Sequence, residues 1–151
     1  MKNMDRWLGD GGMGIIAAIG GSINAYGIVD GGDPRGAKGW CTGRWEPSVL
    51  AANPHGIVQA GVHGIILDAL MNFAINTACE GRDRTKATLE MKGDYLRTAK
   101  VGDTLTLRGD VVRITKQVAF AQSCVIDAAG DIVSKATGTF LLHREPPVPT
   151  A

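Results

Sequence analysis

One segment constrains the fold of this chain more than any other: from Gln59 to Ala78, apolar residues occupy nearly every side of a helix. Val62, Ile65, Ile66, Ala69, Leu70 and Phe73 recur at three- and four-residue spacing, the period of one helical face. Leu67, Met71 and Ile75 form a second apolar stripe roughly opposite the first. A helix that is apolar nearly all round is buried nearly all round, so the rest of the chain must wrap it. Asn53 and the turn ending at Gly56 stand just before it, where a helix start is expected.

After the helix the period changes to two. Thr85 to Leu96, Thr104 to Ile114, Gln117 to Asp127 and Asp131 to Leu142 read as strands, with turns at Lys100 to Asp103 and Ala128 to Gly130. Trp40 to Leu50 reads as a first strand, anchored by Trp40 and Trp45 and ended by Pro47. Long sequential strands with short connections make an antiparallel meander, and one sheet with one buried helix packs by curling the sheet round the helix. The expectation is therefore an α+β domain over residues 40–143, an antiparallel β-sheet wrapped around a long central helix. One sheet covers one side, so the second apolar stripe calls for a second copy of the chain. That predicts a homodimer with neighbouring helices and sheets joined edge to edge, leaving neither end strand an open template.

Composition narrows the function. The 151 residues are 44% apolar, and 16 Lys plus Arg balance 15 Asp plus Glu to a net charge of +1, which fits one globular domain and excludes a disordered chain. No basic stripe gathers a polyanion, so nucleic acid is not an expected partner. The longest apolar stretches, such as Gly14 to Gly20, fall short of the roughly 20 residues that span a bilayer, and no export signal is apparent. Cys41, Cys79 and Cys124 are odd in number and lack a CxxC, so they read as reduced thiols of a cytoplasmic protein, with no metal or cofactor expected. Most of the 21 glycines precede residue 65. Residues 1–39 accordingly read as a Gly-rich segment of turns, including Gly31-Gly32, around a short helix at Ile15 to Ile19. The run GDGGMG has neither the preceding strand nor the following GK[ST] of a phosphate loop and reads as a plain turn. Residues 144–151, with Pro146, Pro147 and Pro149, read as a tail.

Asp68 is the residue that structure alone explains least. It stands in mid-helix, and its neighbours on its own face are read as Leu67, Met71 and Ile75; burying a carboxylate there costs several kcal/mol by order of magnitude unless it is paired. Such costs tend to mark chemistry, although Asn72, one turn on, offers a purely structural partner. Asn53, Gln59 and Asp68 follow at intervals of six and nine, and the free backbone N–H groups of Ala60 and Gly61 at the helix start can polarise a carbonyl oxygen. His63, five residues before Asp68, falls on another helix face and reads as a core or interface residue.

The run NPHGIVQAGVHGIILDALMNFA, from Asn53 to Ala74, resembles the helix motif of hotdog-fold thioesterases of the phenylacetate-pathway (PaaI-like) group, which includes the 4-hydroxybenzoyl-CoA thioesterases. That pattern is Asn, a Gly-rich turn, HGG or QGG, and an acidic residue fifteen positions after the Asn, the separation of Asn53 and Asp68 here. Downstream, TKATLEMKGDYLRTAKVGD is similar to the family's strand and turn, with Thr88 at its Ser or Thr position. The double Gly is Ala60-Gly61 in this chain; a backbone donor survives that change if φ is negative.

The resemblance implies a hydrolase of acyl-CoA thioesters acting at a dimer interface, often within a homotetramer built as a dimer of dimers. It implies Asp68 as nucleophile or as general base for water, with Thr88 orienting the water or the carboxylate. From the other subunit it implies Asn53 as a positioning group and the Ala60 N–H as the carbonyl's donor, with Gln59 and Gly61 beside them and Asn72 near the substrate. Met71 and Ile75 would select the acyl chain. Arg82, Arg84, Lys86, Arg97, Lys100, Arg113 and Lys116 flank predicted strand ends, and among them the resemblance favours Arg97 and the hairpin from Arg113 to Lys116 for the CoA phosphates. Two other readings stand beside it. One is a hotdog dehydratase or hydratase using His55 and Asp68; the other is a non-catalytic acyl-ligand-binding or assembly protein.

Overall fold

The computed structural model describes residues 1–29 and 38–146. The Gly31-Gly32 turn and the end of the Pro-rich tail, residues 147–151, lie outside the described residues. The long helix, α2 (Ala60–Ala78), starts where Gln59 is still extended and stops where the Cys79 N–H turns back to the Ile75 and Asn76 carbonyls. A short helix, α1 (Gly14–Ala18), precedes it. The strands are β1 (Gly21–Val29), β2 (Lys38–Trp45), β3 (Arg84–Tyr95), β4 (Leu105–Ile114), β5 (Val118–Ile126) and β6 (Ile132–His143). They form one antiparallel sheet in the order β1-β2-β4-β5-β6-β3, wrapped around α2.

Three features depart from the sequence expectation. First, the sheet begins at Gly21 rather than Trp40: β1 lies inside the Gly-rich segment, where Gly21, Ala25 and Gly27 dilute the alternation that marks a strand. Second, only β4-β5-β6 run as a meander, because β3 lies beside β6 at the far edge. The turn at Lys100 to Asp103 is therefore not a hairpin. Its flanking backbone bonds to the loop ahead of α2, with the Val58 N–H donating to the Ala99 carbonyl at 2.8 Å and the Val101 N–H to the Gly56 carbonyl at 3.1 Å. Third, Leu67, Met71 and Ile75 need no second copy to cover them, since each is 0% exposed within one chain.

The sheet reaches so far round because it approaches the helix backbone directly. A Cβ at Gly109 would lie 2.5 Å from the Leu70 carbonyl oxygen, and one at Gly39 would lie 2.1 Å from that of Ala74. Glycine at these two positions lets α2 sink into the sheet until both apolar stripes are covered. Ser123 Oγ donates to the Leu67 carbonyl at 2.9 Å from the same sheet floor. The side of α2 left open is polar: Gly61, Ile65, Asp68, Asn72 and Asn76 follow one another along it, none fully buried. Trp45 is an anchor as expected, buried with its indole N–H donating to the Ile19 carbonyl at 2.9 Å. Trp40 is only half-buried, with the Arg108 guanidinium 5.4 Å from its ring centre.

Candidate active site

Asp68 sits midway along the open stripe of α2, half-buried, and its nearest polar company is Asn72 and Thr88 rather than the Leu67, Met71 and Ile75 seam. Thr88 Oγ1 donates to Asp68 Oδ1 at 3.1 Å, and Asn72 Nδ2 lies 3.3 Å from the same oxygen and 3.0 Å from the Asp68 carbonyl. Thr88 reaches the helix from β3, whose register against β6 shifts on both sides of it, between Thr85 and Ala87 and between Thr88 and Glu90. Bulges of this kind re-aim a side chain. Burial raises the Asp68 carboxyl above its ordinary value, and the Thr88 hydrogen bond opposes that shift. The result is a carboxylate more basic than a surface aspartate, with Oδ1 held by Thr88 and Asn72 and Oδ2 without a hydrogen bond among the described residues.

The second group of expected site residues lies at the start of α2. Asn53 holds the turn ahead of the helix by accepting the His55 N–H at 3.0 Å and the Ile57 N–H at 3.1 Å on its Oδ1, which leaves its amide nitrogen as the end able to face a ligand. Gln59 is exposed and makes no side-chain cap. Ala60 and Gly61 are the first two helical residues, and neither has an intrahelical carbonyl partner for its N–H. Among the described residues every positive φ belongs to a glycine, so Ala60 occupies its place without strain and its donor survives the loss of the family's first Gly. Ala60 and Asp68 are eight residues apart on one straight helix, about 12 Å along its axis. A single carbonyl cannot bond to the amide and meet the carboxylate of the same chain.

The remaining expected residues are not brought together. Met71 and Ile75 lie under the sheet, with Met71 packed toward Gly138, so neither lines an open acyl site. Arg97 and Lys100 stand at the end of the sheet near the start of α2, where Arg97 lies 3.6 Å from Asp131. Arg113 and Lys116 stand at the opposite end with β3's first residue, roughly ten strand residues or 33 Å away. One chain cannot use both sets on a single phosphate. His55 is exposed in the Asn53 turn and does not meet Asp68 within the chain. His63 is buried in the core, with Nδ1 2.8 Å from Ser134 Oγ and its ring edge-on to Trp45 at 5.2 Å. Sequence reasoning missed a cleft of about 470 Å³ beside the polar stripe, between Asn72 and Asn76 of α2, the start of β3 and the N-terminal segment. Lys2 and Arg6 contribute to its wall, and no local pattern links them to the helix.

Comparison with known proteins places this geometry in a family. The family described as Thioesterase superfamily matches residues 55–134. The curated relative named "Putative esterase Ta0293", from Thermoplasma acidophilum, is 27% identical over 88 residues, and the match spans 58% of this chain and 64% of that protein, less than two-thirds of its length. The phenylacetic acid degradation-related protein REUT_B4779 of Ralstonia eutropha JMP134 superposes with a TM-score of 0.69 at 24% identity, covering 85% of this chain and 89% of that one. The protein smu.793 of Streptococcus mutans UA159, solved bound to acetyl-CoA, superposes with a TM-score of 0.63 at 21% identity, covering 80% and 90%. These structures share the fold of an antiparallel sheet wrapped round one long helix. With its family match spanning the helix, the Asp68–Thr88 pair, strands β3 to β5 and the start of β6, the chain belongs to the hotdog-fold thioesterase superfamily.

Proposed function

We propose that this chain hydrolyses an acyl-CoA thioester to free acid and thiol, with Asp68 as the reacting carboxylate. The observation that carries this reading is the Asp68–Thr88 pair: a half-buried carboxylate raised by burial, held on Oδ1, with Oδ2 free of hydrogen bonds among the described residues. Membership of the thioesterase superfamily supports the reaction class, and the acetyl-CoA bound by smu.793 supports the carrier. Asp68 either takes a proton from water as the oxygen attacks the carbonyl carbon, or attacks that carbon itself and is then released by water. In both cases the C–S bond breaks and the sulfur leaves with a proton. The backbone N–H of Ala60 stabilises the oxyanion, with Asn53 positioning the reacting groups and Gln59 and Gly61 beside them.

The separation of Ala60 from Asp68 makes this a shared site, completed by the amide of a second copy. The uncovered polar stripe of α2 and the outer edge of β3 both suit that pairing, since among the described residues the twelve of β3 have a neighbouring strand on one side only and Leu89 stands exposed at mid-strand. The dimer thus rests on the polar stripe and the open edge rather than on a bare apolar face. Thiol release from a panel of acyl-CoAs by wild type and Asp68→Asn, with assembly followed by size-exclusion chromatography, tests the reading. Release by wild type and a loss of at least about a thousandfold in a correctly assembled variant supports it. Reversible hydration of a crotonyl thioester without thiol release, abolished by His55→Ala, would replace it with a dehydratase.

A further inference from the structure

The cleft beside the site carries more charge than the fold needs. Lys2, Arg6, Arg82 and Arg84 line it against a single carboxylate, Glu145. Glu145 Oε1 is engaged with His143 Nε2 at 3.0 Å. Lys2 Nζ donates to a backbone carbonyl, that of Asp83, at 2.7 Å, and the Arg6 guanidinium rests 4.0 Å over the Trp7 ring. Neither contact cancels a charge. Arg82 and Arg84 form no ion pair among the described residues. Like charges converging on a concave surface repel one another, and an anion between them relieves that repulsion.

The position of the cleft identifies which anion. Its floor includes Asn72 and Asn76, four and eight residues beyond Asp68, hence about 6 and 12 Å from it along the helix axis. The amide of Asn72 touches both the carboxylate and the cleft. A thioester carbon held at Asp68, with its acyl arm running past Asn72, places the end of a short acyl chain at the cleft. The phosphates of a CoA carrier lie beyond the pantetheine arm, a reach of roughly four extended residues, about 14 Å, on the other side of the sulfur. We propose that the cleft takes an anionic group at the far end of the acyl chain, so that the preferred substrate is a thioester of a short dicarboxylic acid. This deepens the hydrolase reading and rests on it.

The test compares glutaryl-CoA with valeryl-CoA, and the same two acyl groups on N-acetylcysteamine, which lacks phosphates. Wild type is expected to favour glutaryl over valeryl at least tenfold in kcat/KM on both carriers. The double variant Arg82→Gln with Arg84→Gln, both at exposed positions, is expected to lose that preference mainly through KM. Equal rates for the matched pair, or an effect of the arginines confined to the CoA esters, overturns the inference and assigns the charge to the carrier's phosphates. If wild type releases thiol from none of the four but does so from other acyl-CoAs of the panel, the inference is overturned and the hydrolase reading stands; if it releases thiol from no member of the panel, the hydrolase reading has failed. Calorimetric titration with glutarate against valerate then decides the cleft alone: tenfold tighter glutarate binding, lost in the double variant, supports it, and equal binding overturns it.

Discussion

Thr88 Oγ1 lies 3.1 Å from Asp68 Oδ1 and ties an exposed edge strand to the middle of the central helix. The hydroxyl donates, so it favours the ionised carboxylate against the burial that disfavours it. Thr88→Val keeps the shape and removes the donor, so the Asp68 carboxyl rises further above its ordinary value. Under the proposed mechanism the ionised form is the active one. The acidic limb of the kcat/KM profile is therefore expected to move to higher pH, with the largest loss at low pH and a smaller one on the plateau. A uniform loss at every pH would show that Thr88 only holds the strand in place.

Ala60 offers a way to delete a backbone donor without deleting the fold. It is the first residue of α2 and its N–H has no intrahelical partner. Proline is tolerated there because its φ suits a first helical turn. Ala60→Pro is expected to leave the melting temperature within a few degrees of wild type while kcat falls by about 100-fold or more, as for the loss of one oxyanion donor. Full activity in a well-folded variant would remove this amide from the mechanism.

His63 makes stability depend on pH. Burial holds its imidazole below the ordinary value of 6.5, so the unfolded chain binds the proton more readily than the folded one. Stability is therefore at its full value above about pH 6.5 and falls as the pH drops through that value toward the lower folded one. Urea denaturation between pH 5 and 8 is expected to show this loss in wild type, and His63→Gln is expected to flatten that part of the curve. An unchanged slope in the variant would place the titrating group elsewhere.

Gly109→Ala tests how closely α2 rests on the sheet. The added methyl would stand 2.5 Å from the Leu70 carbonyl oxygen, closer than non-bonded atoms allow, so strand or helix must move. The expected cost is about 1 to 3 kcal/mol, the range for overpacking a filled core, read as a lower denaturation midpoint at unchanged slope. The Gly39→Ala change presses on the Ala74 carbonyl and is expected to behave alike.

The sequence by itself determined the elements whose periodicity local sterics and burial both enforce. The span of α2 and the spans of β3 to β6 are legible to within a residue or two, because each long segment has one pattern that keeps its apolar side dry. Asp68 stood out for the same reason, as a charge in an apolar helix. Strand order, by contrast, was decided in three dimensions: the β3–β4 connection bonds to the loop before α2, and nothing within either strand encodes that bond. The cover over Leu67, Met71 and Ile75 depends on glycines in β2 and β4 that are remote in sequence from the helix they admit. So does the company of Asp68, since a bulged register in β3 aims Thr88 at it and the helix's polar stripe supplies Asn72. Periodicity reports which side of an element must be buried, whereas contacts between distant segments follow from how the buried sides are packed together, which only the tertiary structure settles.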